Sequence, residues 1–243
     1  MSRTLALAYG VAAYLAFLAS FLYAIGFVGN LIVPKSIDSG AGGSPGVAAL
    51  VDAVLLGLFA VPHSVMARQG FKRRWTRIIP VAVERSTYVL VSSLTLGVLF
   101  WQWRPIPGPC WDVTRPAIRW LLHAVSWAGW ALALVSTFLI DHADLFGLRQ
   151  VYLFASGRDC TPIPFHTPSL YRRVRHPIML GFLLAFWGTP TMTVGHLLFA
   201  AATTAYILLA LRFEERDLVS YYGDRYEQYR RRAGLLFPKI RRP

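Results

Sequence analysis

Apolar residues in this chain gather into long unbroken runs instead of alternating with polar ones, and the runs predict membrane helices. Leu5 to Val28 carries no charged side chain and exceeds the roughly 20 residues that a helix needs to cross a hydrocarbon core of about 30 Å. No small-residue cleavage site follows a short apolar core there, so it reads as a retained span. Three further spans are expected at about Val47 to Met66, Ser86 to Trp103 and Ala117 to Ile140.

The fifth run, Ile178 to Leu211, would reach roughly 50 Å as one straight helix, too long for a single crossing. It is interrupted at "WGTPTMTVG" by Gly188, Pro190 and Gly195, and a proline there withholds a backbone donor. The pattern predicts a hairpin of two helices, Ile178 to Gly188 and Val194 to Phe213, the first arm short. The fold class expected is an all-α polytopic membrane bundle, four spans plus a C-terminal hairpin. Residues 1–140 would hold the four spans, and 141–243 a C-terminal core of connecting loop, hairpin and basic tail helix.

Charge then orients the spans. Of 25 Lys and Arg, six lie between Ala67 and Arg85, five between Asp141 and Pro177, and nine between Arg212 and Pro243. The positive-inside rule puts these segments and both termini of a multi-pass protein in the cytoplasm. The net charge of +13 matches contact with anionic membrane lipid; no nucleic-acid motif accompanies it, so no nucleic-acid partner is expected. Cys110 and Cys160 fall on opposite sides of the membrane, and neither a disulfide nor a metal framework is expected.

Of the outer loops, "VPKSIDSGAGGSPG" reads as a flexible connection, and "RPIPGPCWDVTRP" as one ordered by its neighbours. On the cytoplasmic side, 38 residues from Ile140 to Pro177 form a connection too long to be idle. It contains Asp141, His142, Asp144, Arg149, Gln150, His166 and His176. After the hairpin, "RFEERDLVSYYGDRYEQYRRR" reads as a helix in which Tyr222, Tyr226 and Tyr229 form one stripe.

In "YRRVRHPIML", Pro177 suits the first position of a helix, whose free backbone donors, with Arg172, Arg173 and Arg175, suit an anion. The competing reading is an arginine cluster that anchors a helix among lipid headgroups. Gly181 permits close approach to the backbone. Glu214 and Glu215, in "RFEER", end the second hairpin arm within reach of Arg175 and His176. They read either as a site for a cation or ribose hydroxyls, or as ion pairs terminating a membrane helix.

These residues resemble the C-terminal core of a membrane methyltransferase superfamily that includes the isoprenylcysteine carboxyl methyltransferases and phospholipid methyltransferases. The pattern falls here on Arg175, His176, Pro177, Gly181, Glu214, Glu215, Leu218, Gly223, Tyr226 and Tyr229. Met179 stands where those two branches commonly have tyrosine. With "VPHSVMARQ", "VERSTYVLVSS" and "IDHADLFGLRQV", the chain from about Val61 onward resembles the bacterial methanethiol S-methyltransferases. That resemblance implies S-adenosyl-L-methionine as methyl donor, methanethiol as acceptor and dimethyl sulfide as product.

The resemblance assigns donor contacts to Arg175, His176, Pro177, Gly181, Glu214, Glu215, Gln150, Tyr226 and Tyr229, with packing of the tail helix as the other reading of the tyrosines. A thiol must become thiolate to attack, and His142, with Asp141 beside it, is the first choice of base. Arg149 would steady the anion and Met179 would line the acceptor site. The other reading of Asp141 and His142 is termination of the fourth span. His63 is a second choice of base, with a hydrogen bond to a neighbouring helix as its alternative, and His196 is read as structural. Two other functions compete: methylation of a lipid or prenylated substrate, and non-catalytic binding of haem or metal through His63, His142 and His176.

Overall fold

The computed structural model describes residues 1–40, 42–161 and 163–239. Among them are ten α-helices: α1 (Arg3–Gly29), α2 (Pro45–Ala67), α3 (Gln69–Trp75), α4 (Val81–Gln102), α5 (Pro116–Ile140), α6 (His142–Leu145), α7 (Leu148–Ala155), α8 (Pro177–Trp187), α9 (Val194–Tyr222) and α10 (Asp224–Arg232). A two-stranded sheet pairs β1 (Pro109–Asp112) with β2 (Thr191–Thr193). Four of the described helices, α1, α2, α5 and α9, are long and apolar enough to cross a membrane, and α8 is a shorter apolar helix. The protein is an all-α polytopic membrane protein.

The chain forms two compact units that interleave along the sequence. One comprises Met1–Gly108, His142–Pro162 and Thr193–His196; the other comprises Pro109–Asp141, Ile163–Met192 and Leu197–Pro243. The fourth apolar run, α5, thus belongs with the hairpin.

In the first unit α4 packs with α1 and α2. The third expected span lies on α4, where serines and threonines dilute the apolar run. Their hydroxyls donate back to carbonyls one turn earlier, Thr87 to Val83, Ser92 to Tyr88, Ser93 to Val89 and Thr95 to Val91, which satisfies them without water. They also join helices: Tyr9 Oη of α1 donates to Thr87 Oγ1 at 3.1 Å. Asp52, fully buried in α2, accepts from the Arg104 amide at 2.8 Å and fixes the chain leaving α4. The amphipathic helix α7 docks through Val151, fully buried against Ala6 and Val83.

The loop after α1 corrects one expectation. Ile37 is fully buried, its amide donates to Phe27 O at 2.9 Å and its carbonyl accepts from Trp103 Nε1 at 3.1 Å. Burying one isoleucine side chain contributes about 1.5–3 kcal/mol, which holds the first half of a segment whose Gly and Ser content reads as flexible.

In the second unit α8 and α5 cross in close contact. A side chain on Gly181 would collide with backbone atoms of Gly129 and Ala133, and one on Gly129 with those of Gly181 and Ala185. Small residues spaced by four on both helices let the backbones approach, as in other membrane helix pairs. The expected hairpin is present: Gly188 caps α8, Trp187 Nε1 donates to Thr204 Oγ1 of α9 at 2.9 Å, and the Phe186 and Phe199 rings meet edge to face at 5.1 Å. The β1 loop is ordered by its neighbours, Trp111 Nε1 donating to Thr189 O at 3.1 Å. The expected tail helix is two helices, because Gly223 takes φ +56° between α9 and α10, a conformation that L side chains disfavour.

Candidate functional site

The second unit gathers Arg175, His176 and Tyr226, three of the residues singled out in its sequence, around one carboxylate. Pro177 opens α8 at its first position, which leaves Arg175 and His176 just before the helix. After α10 the chain returns beside them: the amides of Arg175 and His176 donate to Gly234 O (2.9 Å) and Leu235 O (3.1 Å), and the Gly234 amide donates to Arg173 O (2.9 Å). This short parallel pairing brings Arg175 and His176 to Glu215, which lies about two turns before α9 ends at Tyr222.

Glu215 Oε1 accepts from Arg175 Nε at 2.9 Å, His176 Nε2 at 2.8 Å and Tyr226 Oη at 2.7 Å. Because a carboxylate only accepts, His176 carries its proton on Nε2. Arg230 Nε lies 3.0 Å from Oε2 as an ion contact, without hydrogen-bond alignment. Arg175 Nη1 also donates to Ala233 O at 2.6 Å. The Glu215 and Arg175 side chains are only 10% and 9% exposed, so this is a buried, largely satisfied cluster. Glu214 differs: its side chain is 47% exposed, and its Oε2 stands 3.7 Å from His176 Nδ1.

The tyrosine stripe is organised by a residue that its spacing did not reveal. The Phe165 ring meets Tyr222, Tyr226 and Tyr229 at centroid distances of 4.9, 5.8 and 5.6 Å. Burial raises the Tyr226 phenol well above its usual range, reinforced by its bond to Glu215, and pushes Tyr229 up to about 12. Both therefore remain donors at neutral pH: Tyr226 to Glu215, and Tyr229 to Tyr171 O at 2.5 Å. Their contacts are those of a tail helix packed onto its unit.

Gly181 is reassigned by the geometry: what approaches its backbone is α5. Met179 lies half-buried in the first turn of α8. Beside Arg175 opens a depression of about 500 Å³ lined by Arg175, Glu227, Arg230, Arg231, Leu235 and Lys239. Four cations against one carboxylate suit an anionic group such as a carboxylate, while the exposed Glu214 suits hydroxyls or an ammonium. The lining of the depression therefore fits the carboxylate end of an amino-acid ligand, and Glu214 is not part of that lining.

The first unit holds the remaining candidates except Asp141, the last residue of a segment of the second. At Asp141 the backbone leaves α5 with φ +137°, a sparsely populated conformation for a non-glycine residue, and His142 begins α6. His142 Nε2 lies 2.9 Å from Tyr14 Oη of α1. The rings of Phe17 and Phe146, stacked at 3.7 Å, pack against the same imidazole at 6.5 and 4.8 Å. Asp144 Oδ1 accepts from Arg149 Nη1 at 3.0 Å and Gln150 Nε2 at 3.1 Å. Arg149 is further tied to Thr161 O at 2.9 Å. Gln150 Oε1 is buried without a hydrogen-bond partner among the described residues.

His63 meets the alternative given for it. Its Nδ1 lies 3.0 Å from Ser92 Oγ and its Nε2 2.9 Å from Tyr88 Oη, both on α4, and Phe59 stacks on it at 5.0 Å. Both ring nitrogens thus serve the α2–α4 contact. Tyr14, Phe146, Phe165 and Arg230 were missed in the sequence. Tyr14 alone had a signal there, as a hydroxyl within a span; Arg230 is hidden in a run of three arginines.

Comparison with known proteins gives the family. No family model matches the chain, and no solved structure matches it. It is 58% identical over 238 residues to the methanethiol S-methyltransferase of Mycobacterium tuberculosis, covering 98% of both chains. It is 57% identical over 239 residues to methanethiol S-methyltransferase 2 of Bradyrhizobium diazoefficiens, covering 98% of this chain and 92% of that one. A more distant similarity, 35% over 180 residues, joins it to nurim of Xenopus laevis, covering 69% of this chain and 61% of that one. The chain belongs to the methanethiol S-methyltransferase family.

Proposed function

We propose that this chain methylates methanethiol to dimethyl sulfide with S-adenosyl-L-methionine, at the cytoplasmic face of a bacterial inner membrane, with both termini cytoplasmic. The observation that carries the reading is 58% identity over 98% of both chains to a relative named for that thiol. The Lys and Arg flanking the apolar runs support the orientation.

S-adenosyl-L-methionine, when bound, supplies a methyl group on a cationic sulfur that a thiolate displaces directly. The protein's task is then to align, to exclude water and to ionise the acceptor. Arg230, Arg231 and Lys239, with the edge of Arg175, receive the donor's carboxylate, and Glu214 its ammonium or hydroxyls. Glu215 acts at one remove, by holding Arg175 and His176 in place. His142 takes the acceptor's proton. A small lipophilic thiol reaches such a protein through the membrane, while the polar donor comes from the cytoplasm, which accounts for a methyltransferase built of membrane helices.

The test is headspace gas chromatography of proteoliposomes given donor and methanethiol. Dimethyl sulfide released in proportion to protein is expected. A folded, donor-binding preparation that releases none overturns the substrate.

A further inference from the structure

We propose that Tyr14 is a second catalytic residue, relaying the thiol proton to His142; the proposal rests on the thiol-methylation reading above. The geometry is specific. Tyr14 Oη of α1 stands 2.9 Å from His142 Nε2 of α6, and the two rings meet nearly perpendicular, at 5.6 Å and 80°. The bond joins residues 128 positions apart, so the fold, not local sequence, brings them together. Phe17 and Phe146 pack against both rings, an apolar setting that strengthens a hydrogen bond by excluding water.

Polar groups within a span are costly and are found where they serve a pathway or a partner. Tyr9 of the same helix has a structural partner, Thr87 Oγ1 on α4. Tyr14 instead meets the imidazole of His142, a side chain with the chemistry of a neutral base. The charged groups nearest in sequence are Asp141, which precedes the imidazole, and Asp144, which is bound to Arg149 and Gln150.

With Nε2 occupied by the Tyr14 hydroxyl, a thiol arriving at this edge of the imidazole meets the phenol oxygen first. That oxygen donates one proton and still has lone pairs to accept another. The thiol S–H bond breaks as its proton passes to the Tyr14 oxygen, and Tyr14's own proton passes to His142 Nε2. The result is thiolate, neutral tyrosine and imidazolium, with no net change in charge or electrons. The imidazolium returns its proton to water after turnover.

Tyr14→Phe retains the ring and its packing while removing the relay. With methanethiol, kcat is expected to fall about 100-fold, within the range for a lost acid–base group, while donor affinity by calorimetry is unchanged. A second readout needs no turnover: methanethiol bound without donor shows the ultraviolet band of a thiolate in the native protein, and Tyr14→Phe and His142→Gln both lose it. Combined, the two substitutions are no slower than the slower single one, because they interrupt one path. A Tyr14→Phe protein with native kcat or a native thiolate band overturns the relay, as do losses that multiply in the double variant. A native protein that makes no dimethyl sulfide refutes the substrate reading instead, and the thiolate band still decides the relay.

Discussion

Around Glu215, two arginines, a histidine and a tyrosine converge on a single carboxylate. Around His142 the neighbours are mainly rings, with one hydroxyl on Nε2, and the adjoining Gln150 keeps a buried oxygen without a partner. Both centres carry the residue types that draw attention in a sequence. The first spends them on itself: three donors fill Oε1, and Arg175 continues to Ala233 O, so the cluster ties α9 to the segments before α8 and after α10. At the second centre Gln150 Oε1 is buried without a hydrogen-bond partner among the described residues, an acceptor that a ligand could use. Polar residues at a family motif therefore divide into those that tie segments together and those with contacts to offer a ligand; Glu215 is of the first kind through Oε1, while its Oε2 meets Arg230 as an ion contact without a hydrogen bond.

Removing Glu215 breaks this contrast most directly. Glu215→Ala leaves Arg175 and Arg230 facing each other near a histidine without their shared counter-charge. Loss of one partner from a buried ion pair costs about 3–5 kcal/mol, so chemical denaturation in detergent should show a loss of that order, with activity falling alongside folded protein. Glu214→Ala is the control one residue away. Its side chain is half-exposed and 3.7 Å from the His176 imidazole, so stability should remain within about 0.5 kcal/mol. Donor affinity by calorimetry should weaken about ten-fold, equivalent to about 1.4 kcal/mol. If instead Glu215→Ala binds donor normally and melts normally, the cluster is not a clasp. If Glu214→Ala leaves affinity unchanged, the donor does not rest on that carboxylate.

The membrane helices were legible because lipid imposes a length and a composition on a spanning segment. The break at "WGTPTMTVG" was legible because proline and glycine act locally; Gly188 and β2 lie in it. Arg175, His176 and Glu215 were legible as a group, since a hairpin returns its end to its beginning. What Glu215 does there was not, because Tyr226 and Arg230 reach it only after the chain turns at Gly223, and a linear pattern does not say which hydroxyl lands on which oxygen. Gly181 shows the same limit: the sequence reports room beside a backbone and not whether a ligand or α5 fills it. The partners of His142 were hidden further still, since Tyr14 is one of four hydroxyl residues in its apolar run, with Tyr9, Ser20 and Tyr23, and nothing local marks which of them meets the imidazole.

Gln150→Met sharpens the comparison from the other side, with the smallest expected effect. The native amide spends its nitrogen on Asp144 O and Oδ1 at 3.2 and 3.1 Å and leaves Oε1 buried without a partner. Methionine has nearly the same length and reach. The lost bonds cost about 1 kcal/mol each, and removal of an unsatisfied buried acceptor returns about 1–3 kcal/mol. The two nearly cancel, so the melting temperature should hold. If Oε1 is kept for a ligand hydroxyl or ammonium, kcat/KM falls about three-fold at unchanged stability, which no packing defect produces. An unchanged kcat/KM with a raised melting temperature would make Oε1 an ordinary imperfection of the fold, as Glu215 Oε2 is at the other centre.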